Sequence, residues 1–297
     1  MTKIGIMQKI IVLAMASLLA LGVNAETRKV SSPDGRMQVS IIAENGTLNY
    51  EVTYDGKTIL QPSSLGLKTD MGDYTQNLTA TKWTESKVDE TYTMSRTKAS
   101  KVHYQANVMA VEMKADKCPY PMTVVMQVSN NDIAYKYQLA GSDNSWKDEP
   151  RRATIISEAS SFRFPDQTTT FLCPQIGGKH QGWMSTKPSY EEEYNVDAPM
   201  TDKSKYGLGY TFPCLFKVGN DGWALVSETG VGSNYCGSRL SDFDAAKGYT
   251  VAYPSADENH GLGSSNPAIS LPGETPWRTI TVGSDLKPIV ETTISYD

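Results

Sequence analysis

The side chains able to do chemistry are sparse and dispersed. His103, His180 and His260 stand too far apart in sequence to suggest a metal cluster. Cys118, Cys173, Cys214 and Cys236 include no CxxC pair, and separations of tens of residues do not match a zinc site. No Gly-x-Ser-x-Gly elbow, phosphate-binding loop, HExxH or EF-hand loop is present. What remains is carboxylate and ring. Glu191, Glu192 and Glu193 run together between Tyr190 and Tyr194, and like charges that close repel unless a cation joins them. By its residues alone the run reads as a solvated acidic loop. Glu228, in Ser227-Glu228-Thr229, ends a strand-like run, where it is either a ligand or interface group or a solvated strand-end carboxylate. Trp183 and Tyr235 could line a sugar site, because flat rings stack on pyranose faces while their polar tips find hydrogen bonds. Trp223 and Trp277 lie in strand-like contexts and are read as core.

The elements that must position these groups are short and alternate with period two. Met37 to Ile41 alternates, Asn45-Gly46 signals a turn, and Leu48 to Tyr54 alternates again before Asp55-Gly56, which predicts two hairpins. Thr81 to Thr97, Val102 to Met113, Met122 to Val128 and Ile133 to Leu139 continue the meander. Between Trp146 and Tyr210 no period is sustained, and long loops crossing one sheet face are expected. Strand character returns at Phe212 to Val218 and Trp223 to Glu228 as a hairpin, then at Tyr249 to Tyr253, Trp277 to Gly283 and Ile289 to Ile294. Helical periodicity is nearly absent.

Residues 1–25 have the order of a secretory signal: Lys3 and Lys9, the apolar run Ile10 to Leu21, and the small-residue site Val23-Asn24-Ala25. Export to the periplasm or medium is expected, leaving residues 26–297 as one β domain. In that compartment the cysteines could pair, but a domain this size does not need staples, and most are expected buried and unpaired. The net charge of −5, with 28 basic residues scattered, argues against nucleic acid as partner. No second apolar run of membrane-spanning length follows the signal.

Three blocks resemble a known family. Thr211-Phe212-Pro213-Cys214-Leu215-Phe216-Lys217-Val218-Gly219-Asn220-Asp221-Gly222-Trp223, followed by Val226 to Val231 and Asn234 to Leu240, is similar to the most characteristic block of the N-terminal domain of glycoside hydrolase family 97. Leu271-Pro272-Gly273-Glu274-Thr275-Pro276-Trp277-Arg278 resembles its second signature, and Ser32-Pro33-Asp34-Gly35-Arg36 a third. The resemblance runs from about Val30 to Asp297. It implies an all-β fold, a large antiparallel β-sandwich of the galactose mutarotase-like super-sandwich type. It implies also that the catalytic (β/α)8 barrel and a C-terminal β domain, which follow this domain in the family, are missing from this chain, and that the partner surfaces are that barrel and an α-linked oligosaccharide.

Glycoside hydrolysis needs two carboxyl groups flanking the scissile bond. In the family they belong to the barrel, so the resemblance implies a non-catalytic chain from an α-glucosidase or α-galactosidase. It implies also one glutamate lent to an active-site calcium ion, with Glu191 the first candidate and Glu228 the alternative. Calcium takes six to eight oxygen ligands, which a lone loop carboxylate cannot supply. A free-standing periplasmic carbohydrate-binding protein is the alternative reading.

Overall fold

The computed structural model describes residues 25–95, 97–118, 120–141, 152–176, 192–256 and 264–296. The first four strands, Glu26–Ser31, Met37–Glu44, Thr47–Tyr54 and Lys57–Leu65, form an antiparallel meander. Its tight turns are dictated locally: Asn45-Gly46 and Asp55-Gly56 all take positive φ, which matches the right-handed twist of paired strands. Leu48, Tyr50, Val52 and Tyr54 are buried while the residues between them are half-buried, so one face of the meander points inward. At Gly66 the chain swings out of the meander with φ of +143°, and a Cβ there would lie 2.3 Å from the Tyr74 carbonyl oxygen.

The second layer is a ten-stranded antiparallel sheet. From one edge its order is Asn195–Pro199, Thr168–Leu172, Cys214–Val218, Gly222–Thr229, Trp277–Gly283, Asp132–Leu139, Met122–Val128, Lys101–Ala115 and Leu78–Thr93, with Gly273–Glu274 pairing beside Asp132–Leu139. Two four-stranded sheets extend the opposite layer: Ala268–Ser270, Arg152–Glu158, Leu67–Thr69 and Gly72–Asp73, and Ser161–Phe162, Tyr249–Ala252, Arg239–Leu240 and Tyr210–Thr211. Val39, Ile41, Tyr50 and Val52 from the meander share one hydrophobic cluster with Met109, Val124, Met126, Ile280 and Val282 from the large sheet. Each such side chain contributes about 1.5–3 kcal/mol on burial. This is the expected all-β sandwich.

Three expectations need correction. The middle third is not only loop, because Arg152–Glu158, Ser161–Phe162, Thr168–Leu172 and Asn195–Pro199 are strands. Their partners are distant in sequence, Ile155 opposite Thr69 and Thr170 opposite Phe216, so no local hairpin signal marks them. The run Ile289 to Ile294 is not a strand. Asp285 caps a short helix, Leu286–Glu291, by accepting from the Lys287 backbone N–H at 2.8 Å, and a 3-10 turn follows at Ile294–Tyr296. Trp223 and Trp277 are only half-buried, on the outer face of the large sheet, because their strand neighbours Ala224 and Arg278 take the inward positions. The four cysteines are unpaired, with Cys173 and Cys214 buried. No helix among the described residues is long and apolar enough to cross a membrane.

Candidate functional site

The densest polar chemistry in the described residues surrounds a buried arginine. Arg278 sits in Trp277–Gly283 in phase with Ile280 and Val282, so its side chain enters the core between the layers and is 1% exposed. Its cross-strand partner is Glu228, in register on Gly222–Thr229 and in phase with Ala224 and Val226. From the other layer comes Glu158, whose inward aim depends on a bulge. Ala153 and Ile155 are buried, the register then shifts between Ile155 and Ser157, and Glu158 takes the inward position that simple alternation would have denied it.

The guanidinium joins the two layers. Nε donates to Glu158 Oε1 at 2.9 Å and Nη2 to Glu158 Oε2 at 2.6 Å, a bidentate pair. Nη1 donates to Glu228 Oε2 and to Ser238 Oγ, the latter at 2.8 Å. Ser238 completes the carboxylate, its N–H donating to Glu228 Oε1 at 2.9 Å and its hydroxyl to Oε2. Burial alone would drive the guanidinium toward its neutral form, but Glu158 chiefly, with Glu228 adding to it, holds it above its ordinary value and charged.

Two tyrosines carry the cluster toward the surface. Tyr253 donates to Glu158 Oε2 at 3.2 Å, and its hydroxyl meets that of Tyr235 at 2.9 Å, the rings set edge to face. Burial first, then the Glu158 charge, raises both phenols above the usual range, so both act as neutral O–H groups. The Cys236 thiol beside them is pushed up to about 11 by burial and by Glu228, so it is no thiolate nucleophile near neutral pH.

The arrangement can orient, but it offers no acid–base pair. Both carboxylates are tied to one cation, whereas a glycosidase needs one carboxyl carrying a proton and another facing the sugar or its water. Of the residues singled out from sequence, Tyr235 and Glu228 are brought together here, whereas Glu191 and Trp183 lie outside the described residues. Both oxygens of Glu228 already accept hydrogen bonds from Arg278 and Ser238. Among the described residues no group of three or more His, Cys, Asp or Glu side chains could hold a metal ion. Glu158, Ser238, Tyr253 and the role of Arg278 were not anticipated. A signal existed for Arg278, a charged residue in step with Ile280 and Val282, but none for Glu158, because a bulge cannot be read from alternation.

Residues 30–297 match the family described as glycosyl-hydrolase 97 N-terminal. Among curated proteins, the chain is 24% identical to a retaining alpha-galactosidase of Bacteroides thetaiotaomicron, covering 98% of this chain and 44% of that protein. It is also 24% identical to a probable retaining alpha-galactosidase of Streptomyces bingchenggensis, over 90% of this chain and 36% of that one. Among solved structures, a beta-arabinopyranosidase is 50% identical with a TM-score of 0.84, covering 90% of this chain and 42% of its own. A glycoside hydrolase family 97 enzyme from Pseudoalteromonas, 19% identical with a TM-score of 0.73, has the same fold. The chain thus spans less than half the length of these relatives.

Proposed function

The chain belongs to the glycosyl-hydrolase 97 N-terminal family, and from that premise we propose that it is the non-catalytic N-terminal domain of an exported glycosidase, forming one wall of the substrate pocket. The supporting observation is the family match along residues 30–297, in a chain spanning less than half of its relatives. The two acids add to it, since Glu158 and Glu228 are consumed by Arg278 and serve the sandwich rather than a scissile bond.

The substrate class we propose is galacto-configured. The relative at 50% identity is a beta-arabinopyranosidase and those at 24% are alpha-galactosidases. A β-L-arabinopyranose ring has the hydroxyl configuration of α-D-galactose and lacks only the exocyclic hydroxymethyl group, so one pocket shape serves both. Within this reading Tyr235 and Trp183 face the sugar. Glu191 lends one oxygen to a calcium ion whose remaining ligands come from another segment, because a single carboxylate cannot fill six to eight positions.

The pure chain, assayed with calcium on p-nitrophenyl α-galactoside, β-L-arabinopyranoside and α-glucoside, is expected to give no turnover; a rate above blank would overturn the non-catalytic assignment. Substrate class is tested separately with a hybrid in which this domain replaces the corresponding part of the 50%-identical relative. Retained preference for the arabinopyranoside is expected. A hybrid that prefers the glucoside would sink the galacto assignment.

A further inference from the structure

Arg278 and Glu228 point into the core, so their neighbours Trp277 and Thr229 must point out through the opposite face of the large sheet. There they floor a groove of about 610 Å³, within the size range of small-ligand sites. One wall is the long hairpin Leu78–Thr93 and Lys101–Ala115, through Glu90, Tyr92 and Tyr104; the other is the C-terminal turn, through Ile294 and Tyr296. We propose that this groove is a second, non-catalytic binding site for a neutral oligosaccharide, on the face opposite the Arg278 cluster. The inference rests on the glycosidase-domain reading.

Its lining has the two halves of sugar chemistry. Trp277, Tyr92, Tyr104 and Tyr296 supply ring faces for the C–H surface of pyranoses. Glu90 supplies a carboxylate able to accept from vicinal hydroxyls, and the Gln127 side chain supplies a neutral amide. The rings are held before any ligand arrives. Lys136, the cross-strand neighbour of Trp277, places its ammonium 4.3 Å from the indole centroid and is itself tied to Glu274 at 2.6 Å. Tyr104 donates to Gln127 Oε1 at 3.1 Å. The C-terminal wall is pinned by Asp132 Oδ1, which accepts from Thr281 Oγ1 at 2.6 Å and Thr292 Oγ1 at 2.8 Å, and by Lys98 Nζ, which donates to the Val290 carbonyl at 2.5 Å. Preorganisation of this kind lowers the ordering cost of binding.

Other ligand classes fit less well. A hydrocarbon chain would cover the exposed Glu90 carboxylate and strip it of water without offering it a hydrogen bond. A peptide adding to the sheet would use a strand edge, whereas this groove lies on the sheet's face.

The experiment is calorimetric titration of the full chain with stachyose, maltoheptaose and inorganic phosphate, alongside Glu90→Gln and Tyr104→Ala, each checked for an unchanged far-UV spectrum. Binding of one of the sugars but not phosphate is expected, weakened about tenfold in each variant. No heat from either sugar at about 10 mM would overturn the site, as would variants that bind like the parent. Loss of sugar binding in Tyr235→Ala alone, with both groove variants unaffected, would assign the sugar to the Tyr235 face; it would sink this inference while leaving the proposed function standing. A dimer in light scattering that becomes a monomer in Tyr104→Ala would make the groove a self-interface and equally overturn it.

Discussion

At the scale of single residues, the decisive group is Arg278. Its side chain is 1% exposed and that of Glu158 is fully buried, so their pairing is not diluted by solvent as a surface ion pair would be. The desolvation cost of such a cluster is offset only if every partner stays in place. Arg278→Ala is therefore expected to cost about 3–5 kcal/mol, because it strands the buried Glu158 carboxylate without its cation and leaves the half-buried Glu228 as a like charge beside it. Urea unfolding measures it, and a loss below about 1 kcal/mol would mean that water reaches the cluster. Replacing all three with apolar residues of similar volume should recover much of the loss, since the ion pairs compete with water and apolar packing does not.

At the scale of elements, the C-terminal segment shows how a sheet face is closed. The helix Leu286–Glu291 buries only Ile289, too little to hold six residues by apolar contact. Asp132 supplies the anchor, holding the hydroxyls of Thr281 on the sheet and Thr292 after the helix on one oxygen. Asp132→Ala is expected to destabilise the protein by about 1–3 kcal/mol, by leaving part-buried hydroxyls unpaired. Hydrogen exchange should quicken in residues 286–296 before it quickens in the central strands. Uniform acceleration throughout the sheet would show instead that Asp132 supports the whole sandwich. The same variant loosens one wall of the proposed groove, so its sugar affinity should fall with it.

At the scale of the whole molecule, exposed carboxylates with favourable partners contribute to acid sensitivity. The carboxyls of Asp55, beside Arg36, and Asp89, beside His103, lie below the ordinary aspartate value, as does that of Asp244, which accepts from the Ala246 and Lys247 backbone N–H groups. A depressed folded value means stability that is present above the unfolded value of 3.8 and is lost as pH falls through the folded one. The melting temperature is therefore expected to hold from about pH 7 to about pH 5 and to fall below about pH 4. Differential scanning fluorimetry across that range checks it; a maximum near pH 3 would contradict the assignment.

The all-β class and the first hairpins were legible because they are local: Asn45-Gly46 and Asp55-Gly56 specify turns, and the alternation of Leu48 to Tyr54 specifies a face. The family blocks were legible for the same reason, as contiguous residues. Even Arg278 announced itself, a charge in phase with Ile280 and Val282. Only the tertiary structure decided what that charge meets. Glu158 lies 120 residues away in sequence and turns inward through a bulge. The run Ile289 to Ile294 has strand-forming residues, yet it becomes helix and turn because both neighbours of Trp277–Gly283 are already paired and Asp285 offers a cap. Pairing partners are chosen by closure of the whole core, and no window of sequence contains that choice.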